Sequence, residues 1–119
     1  MDKKEFGQKG EAAAARYYLD RGCRLLAHGY RTRLGELDLV LEEGDTVVVA
    51  EVKSRAAGSL VPAAQAVDTA KQRRLILAAQ SFLQQQELAD RPVRFDVVEV
   101  SPAAGGGLLV HCIKNAFEL

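Results

Sequence analysis

The sequence predicts an α/β or α+β domain in which helices pack on a central mixed sheet. Two segments repeat apolar residues at the helical period, and others alternate at the period of a strand. Their order is helix, three strands, helix, two strands. Which strands run parallel is not written in the sequence.

The first segment, EFGQKGEAAAARYYLDRG, carries four consecutive alanines and a tyrosine pair and ends on Gly22. It reads as a helix from about Lys4 to Arg21, with the glycine as its stop. CRLLAHGYRTR alternates in part and reads as a strand and turn leading into the GELDLV strand. Gly44 and Asp45 separate two β-rich runs, and a glycine first in a two-residue loop suits a type II′ turn, so residues 36–43 and 46–53 should pair antiparallel. Beyond Lys53, SRAAGSLVPAA has the glycine, serine and proline of a mobile connection able to close over a partner.

Thr69 and Gln72 form a capping box ahead of RRLILAAQSFLQQQEL, where Leu75, Ala78, Ala79, Phe82 and Leu83 share one helical face. VRFDVVEV alternates as a strand, AAGGG is a turn, and LLVHCI is a last strand before the tail KNAFEL. Neither an internal repeat nor a linker splits the chain, so one domain is expected over residues 1–119.

Composition narrows the function classes. The chain of 119 residues and 12.9 kDa is 48% apolar and 27% charged, the balance of an ordinary globular domain and not of a disordered one. It has no apolar run long enough to span a bilayer, and MDKKEFGQKGE is too charged for a signal peptide, so a cytoplasmic protein away from membranes is expected. Cys23 and Cys112 lack metal-ligand spacing and read as buried free thiols, and His28 and His111 are equally isolated.

The formal net charge is zero, but it is unevenly spread. Residues 1–35 hold eight bases and four acids, residues 36–51 six acids and no base, and residues 52–94 seven bases and three acids. An acidic stretch thus lies between two basic ones.

Within that stretch, the hairpin register places Asp38 directly opposite Glu51, and Glu36 opposite Lys53. Like charges so opposed destabilise a sheet and need a cation, a proton or open water. Mg²⁺ takes oxygen ligands from one or two carboxylates, and a lysine one step along the same face can stabilise a phosphate oxyanion or orient a water. Alternatively, Glu36, Asp38, Glu51 and Lys53 form the wet face of a hairpin, with Glu36 and Lys53 as a cross-strand ion pair. Against this, Val40, Val47 and Val49 occupy the same face, so the charges gather only toward one end, where Arg31, Arg33 and Arg55 enter and leave.

Asp38 followed by Glu51-Val52-Lys53 on the next strand resembles the PD-(D/E)xK signature of restriction-endonuclease-like nucleases. Over nearly the whole chain, GEAAAARYYLDRGCRLLAHGYRTRLGELDLV, VVVAEVKSR, VDTAKQRRLILAAQSFL, RFDVVEV and NAFEL resemble, in order, the bacterial YraN-like family of small uncharacterised proteins. More distantly the chain is similar to archaeal Holliday-junction resolvases, which share the glutamate of the first helix, here Glu11. The resemblance implies a restriction-endonuclease-like sheet and a Mg²⁺ or Mn²⁺ site formed by Asp38, Glu51 and the carbonyl of Val52. It also implies Glu11 as an acidic site residue acting directly or through water, and Lys53 as the catalytic lysine. Leu37 stands where the literal signature has proline.

The expected activity is therefore metal-dependent hydrolysis of DNA phosphodiesters, including branched or junction DNA. The alternative is a weakly active or inactive module that binds nucleic acid on the same fold. Arg31, Arg33, Arg55 and the Lys71, Arg73, Arg74 cluster are the candidate nucleic-acid contacts, although a solvated helix end accounts equally for the last three. Asp96 reads as a strand-face polar residue or an outer ligand, and Tyr17 and Tyr18 as packing against the sheet or base stacking. A homodimer is expected by analogy with the resolvases.

Overall fold

The computed structural model describes residues 2–56 and 67–118. Its elements are α1 (Lys3–Asp20), β1 (Arg24–Thr32), β2 (Gly35–Glu43), β3 (Thr46–Ser54), α2 (Thr69–Gln85), β4 (Val93–Pro102) and β5 (Leu108–Phe117). The strands form one sheet in the order β1-β2-β3-β4-β5. Among the described residues only β3 and β4 pair in parallel, and α2 lies in the connection between them, as a parallel crossover requires. Most of the connection expected to close over a partner falls in residues 57–66 and so lies outside the described residues.

The helices cover opposite faces of the sheet. α2 buries Leu75, Ala78, Ala79, Phe82 and Leu83, the five residues its periodicity singles out, against Val40, Val47, Val49, Phe95 and Val97. On the other face, Ala14 and Tyr18 of α1 pack on Leu39, Leu41, Val48, Ala50, Val98 and Val100. Val47 through Glu51 of β3 are all buried, because this strand has a neighbour on each edge and a helix over each face.

Each helix is capped by an aspartate. Asp2 accepts the Glu5 N–H at 2.7 Å, and Asp68 accepts the Lys71 N–H at 2.8 Å. The second cap corrects the Thr69–Gln72 box expected from sequence: the cap lies one residue earlier, and the Gln72 amide donates to the Val67 carbonyl. A carboxylate is a stronger acceptor than a hydroxyl, and its charge suits a helix N-terminus.

The β2–β3 hairpin keeps the predicted register from Glu43↔Thr46 to Leu39↔Ala50. Gly44 has φ +58 and Asp45 is not in the left-handed region, as a type II′ turn requires. Past Leu39 the alternation slips. Leu37 packs in the α2-side core although Leu39, two residues on, packs in the α1-side core. The flanking pairs Tyr30↔Leu37 and His28↔Leu39 put Gly29, with φ +57, across from Asp38 at this slip.

The last strand runs further than expected. KNAF is not a tail but a continuation of β5, reached through an irregularity opposite Asp96, where Asn115 takes φ +52. The chain then returns to the sheet and stacks Phe117 on Phe95, with ring centroids 4.9 Å apart.

Asp96 explains that irregularity. It is fully buried on the α1 side and accepts from Tyr18 Oη at 2.7 Å, from Arg94 Nε at 2.9 Å and Nη2 at 3.2 Å, and from the Asn115 N–H at 2.9 Å. Arg94 also donates to Glu43 at 3.0 Å, so the cluster joins α1, the β2–β3 hairpin, β4 and β5. Burial, with the hydrogen bond to Cys112 and the charge of Asp96, pushes the Tyr18 phenol well above its usual range, and it stays a donor. Asp96 is therefore a structural carboxylate and not an outer ligand, and Tyr18 packs rather than stacking on a base.

Removing the carboxylate leaves Arg94 and Tyr18 without a shared acceptor. Asp96→Ala is expected to cost about 3–5 kcal/mol of stability, and Tyr18→Phe about 1–2 kcal/mol, both read from urea denaturation. Equal small losses in the two variants would contradict the hub.

Candidate functional site

The site begins where the β2–β3 ladder ends. Beyond Leu39↔Ala50, Asp38 accepts the backbone N–H of Val52 at 2.9 Å through its side chain. The Asp38 carboxylate thus crosses the gap between the two strands and sits beside the Glu51-Val52-Lys53 segment. The expected opposition of Asp38 and Glu51 is realised as this side-chain bridge and not as one more ladder pair. Glu36 departs from expectation more clearly: its charge partner is Arg31 at 3.7 Å, across the β1–β2 pair, and not Lys53. Arg31 and Glu36 are direct register partners in that pair.

Glu51 is 5% exposed. Lys53 Nζ and Lys71 Nζ each lie 3.6 Å from its Oε1. Its Oε2 is buried and takes no hydrogen bond among the described residues. At 3.6 Å an ammonium attracts a carboxylate but does not hydrogen-bond it, so both contacts are loose. Burial, reinforced by the charge of Asp38 and opposed by Lys71 and Lys53, pushes the Glu51 carboxyl up to about 7.

Glu11 lies on α1 and lines a groove of about 390 Å³ together with Gln8, His28 and Leu39. Its carboxyl is raised by burial and then by the charges of Asp38 and Glu36, with His28 opposing. It therefore feels the same acidic cluster from the other side of the sheet. Among the described residues, no three Asp, Glu, His or Cys side chains gather closely enough to form a ready-made metal cage. Asp38 and Glu51 are the pair brought together, and Glu11 joins them through its field.

The basic candidates divide. Lys71 joins the carboxylates, while Arg73 and Arg74 are exposed on α2. Arg31 and Arg33 line a groove of about 660 Å³ with Tyr30, Thr32, Leu34, Ser81 and Gln85. Arg74 approaches Gly35 closely, which places the start of α2 against the β1–β2 turn and brings these arginines to one end of the molecule. Arg55 continues from β3, its N–H bonded to the Val100 carbonyl at 2.8 Å. Reading Lys71 with its arginine neighbours misses its role. The available signal is helical spacing: Lys71 stands four residues before buried Leu75 and so shares its inward face.

Comparison with known proteins follows the same stretch. Residues 10–100 match the model of a family described as uncharacterised protein family UPF0102. The chain is 42% identical over 113 residues to a UPF0102 protein of Pseudomonas putida, covering 94% of this chain and 92% of that one. It is 45% identical over 113 residues to one of Stutzerimonas stutzeri, covering 94% and 93%. One of Symbiobacterium thermophilum is 41% identical over 112 residues, covering 94% and 95%. Among the described residues no helix is long and apolar enough to cross a membrane.

The raised Glu51 carboxyl has a pH consequence. Between the ordinary carboxylate range and about pH 7, the folded protein holds a proton that the unfolded chain has released. That proton contributes stability at acid pH, and the contribution is lost as pH rises to about 7. In EDTA, Glu51→Gln should match the parent's melting temperature at pH 5 and exceed it at pH 8 by about 5 °C or more. A parent whose melting temperature does not fall relative to the variant over that window would contradict the buried charge.

Proposed function

Because the chain belongs to the UPF0102 family, the YraN-like family that its sequence resembles, and that family name assigns no chemistry, we infer function from the site itself. We propose that the protein binds DNA and hydrolyses its phosphodiester bonds with a divalent metal, branched or junction DNA being the favoured substrate. The single observation that carries this is the buried Glu51 carboxylate, with an unsatisfied Oε2, held against Asp38 and Lys53 where two strands part.

The residues fit a hard divalent cation. Glu51 Oε2 is a buried acceptor lacking a donor among the described residues, Asp38 adds a second carboxylate, and the backbone of Val52, whose N–H Asp38 holds, would supply a carbonyl from the segment between Glu51 and Lys53. All the donors are oxygens, as Mg²⁺ and Mn²⁺ prefer. Such an ion, when bound, would supply Lewis-acid charge toward a phosphoryl oxygen.

The chain's own residues do the rest. Asp38 fixes the Glu51-Val52-Lys53 backbone through the Val52 N–H, which sets where both site side chains start. Lys53 is 28% exposed, so its ammonium has access to a phosphate from solvent while its stem stays packed. There it offsets charge that develops on the phosphate. Arg31, Arg33, Arg73 and Arg74 lie at the exposed end and suit contacts to flanking phosphates that position the nucleic acid without reading its sequence.

A second reading, binding without turnover, is favoured by one observation. Two ammonium groups already compensate Glu51, so the site is electrostatically balanced by the chain alone.

Purified protein should cleave a four-way junction or flap substrate in Mg²⁺ or Mn²⁺. Lys53→Ala, Asp38→Asn and Glu51→Gln should each lower the rate by at least about 100-fold, on the scale of removing one positioned electrostatic group. Absence of metal-dependent cleavage on duplex, single-stranded, flap and four-way DNA would overturn the nuclease reading. DNA affinity that falls with salt yet survives EDTA and Asp38→Asn would establish the binding module instead.

A further inference from the structure

Lys71 is held on the wrong atom for a residue that only decorates a helix end. It comes from the first turn of α2, its side chain is 33% exposed, and its ammonium lies 3.6 Å from the same Glu51 oxygen that Lys53 approaches. The other Glu51 oxygen is buried and has no partner among the described residues. Two cations thus crowd one oxygen at a distance too long for a hydrogen bond. Lys53 is tied to this place by the β3 backbone, two residues beyond Glu51. Lys71 reaches it on a flexible stem from a different element, so it can leave without disturbing the hairpin.

Charge bookkeeping gives that departure a direction. With Asp38 and Glu51 ionised, their charges cancel those of Lys53 and Lys71. A divalent cation on the carboxylates makes the group doubly positive, and the ammonium nearest the ion is repelled. We infer that Lys71 is a displaceable counter-ion: it neutralises Glu51 until a divalent cation takes that carboxylate, and it then turns outward to hold a phosphate of the nucleic acid.

The inference rests on the metal-dependent reading of the same site. It makes Lys71 a positioning residue that couples metal entry to substrate binding. The metal converts a neutral pocket into a cationic one and at the same step releases a second cation toward the polyanion.

Mn²⁺ titration by calorimetry, without DNA, tests this on the full chain. Lys71→Met and Lys71→Gln should each bind Mn²⁺ about tenfold more tightly than the parent, because a competing positive charge is gone. Lys71→Arg should return affinity to the parent value, and Lys4→Met, which removes an equal charge from an exposed position on α1, should leave it there. Melting curves in EDTA confirm that each variant is folded, and Mn²⁺ should raise the melting temperature of Lys71→Met more than that of the parent. Unchanged or weaker Mn²⁺ binding in Lys71→Met and Lys71→Gln overturns the inference and leaves the metal reading standing. Failure of every protein to bind Mn²⁺ overturns both.

Discussion

Asp96 has no access to water, and its two oxygens collect donors from α1, from its own strand and from the irregularity in β5. Through Arg94 it also reaches Glu43 at the turn end of the hairpin. A buried carboxylate is tolerable only when its lone pairs are occupied, so the positions of Tyr18, Arg94 and Asn115 are set together. The left-handed backbone of Asn115, the long β5 and the stacking of Phe117 all follow from bringing one N–H to Asp96. Arg94 shows the same bargain from the cation's side. Burial pulls its pKa down, yet bonding to Asp96 and Glu43 more than offsets this.

Glu51 stands one residue beyond Ala50, the register partner of Asp96, and faces the other side of the sheet. It is nearly as buried, but one oxygen has two distant ammonium groups and the other takes no hydrogen bond among the described residues, with the Asp38 carboxylate nearby. Among the described residues the two buried carboxylates are thus of opposite kind. One is saturated and fixes the fold. The other is left short of partners, and a folded protein keeps such a group where an outside partner completes it.

The elements were legible because their signals are local. The alanine run of α1, the apolar face of α2 and the Gly44-Asp45 turn each lie within one segment. The turn alone then fixes five pairs of the hairpin register. From that register the proximity of Asp38 to the Glu51 segment could be read. What escaped is the work of residues that meet only in three dimensions. Asn115 looks like tail until Asp96 is opposite it, Asp68 outcompetes Thr69 by a single position, and Glu36 finds Arg31 because the two are direct partners in the β1–β2 register. Adjacency groups Lys71 with Arg73 and Arg74, whereas its four-residue spacing to buried Leu75 carries it inward to Glu51.

The single parallel pairing has a consequence for the order of assembly. β1, β2 and β3 are joined by short turns, so their ladders close over small sequence distances, and the carboxylates of Asp38 and Glu51 can approach while the rest of the chain is unformed. β4 must wait for the long crossover, and α2, which carries Lys71, arrives with it. During folding the acidic pair therefore exists before its second counter-ion does. Until the crossover docks and buries the pair, open water has to screen the two charges.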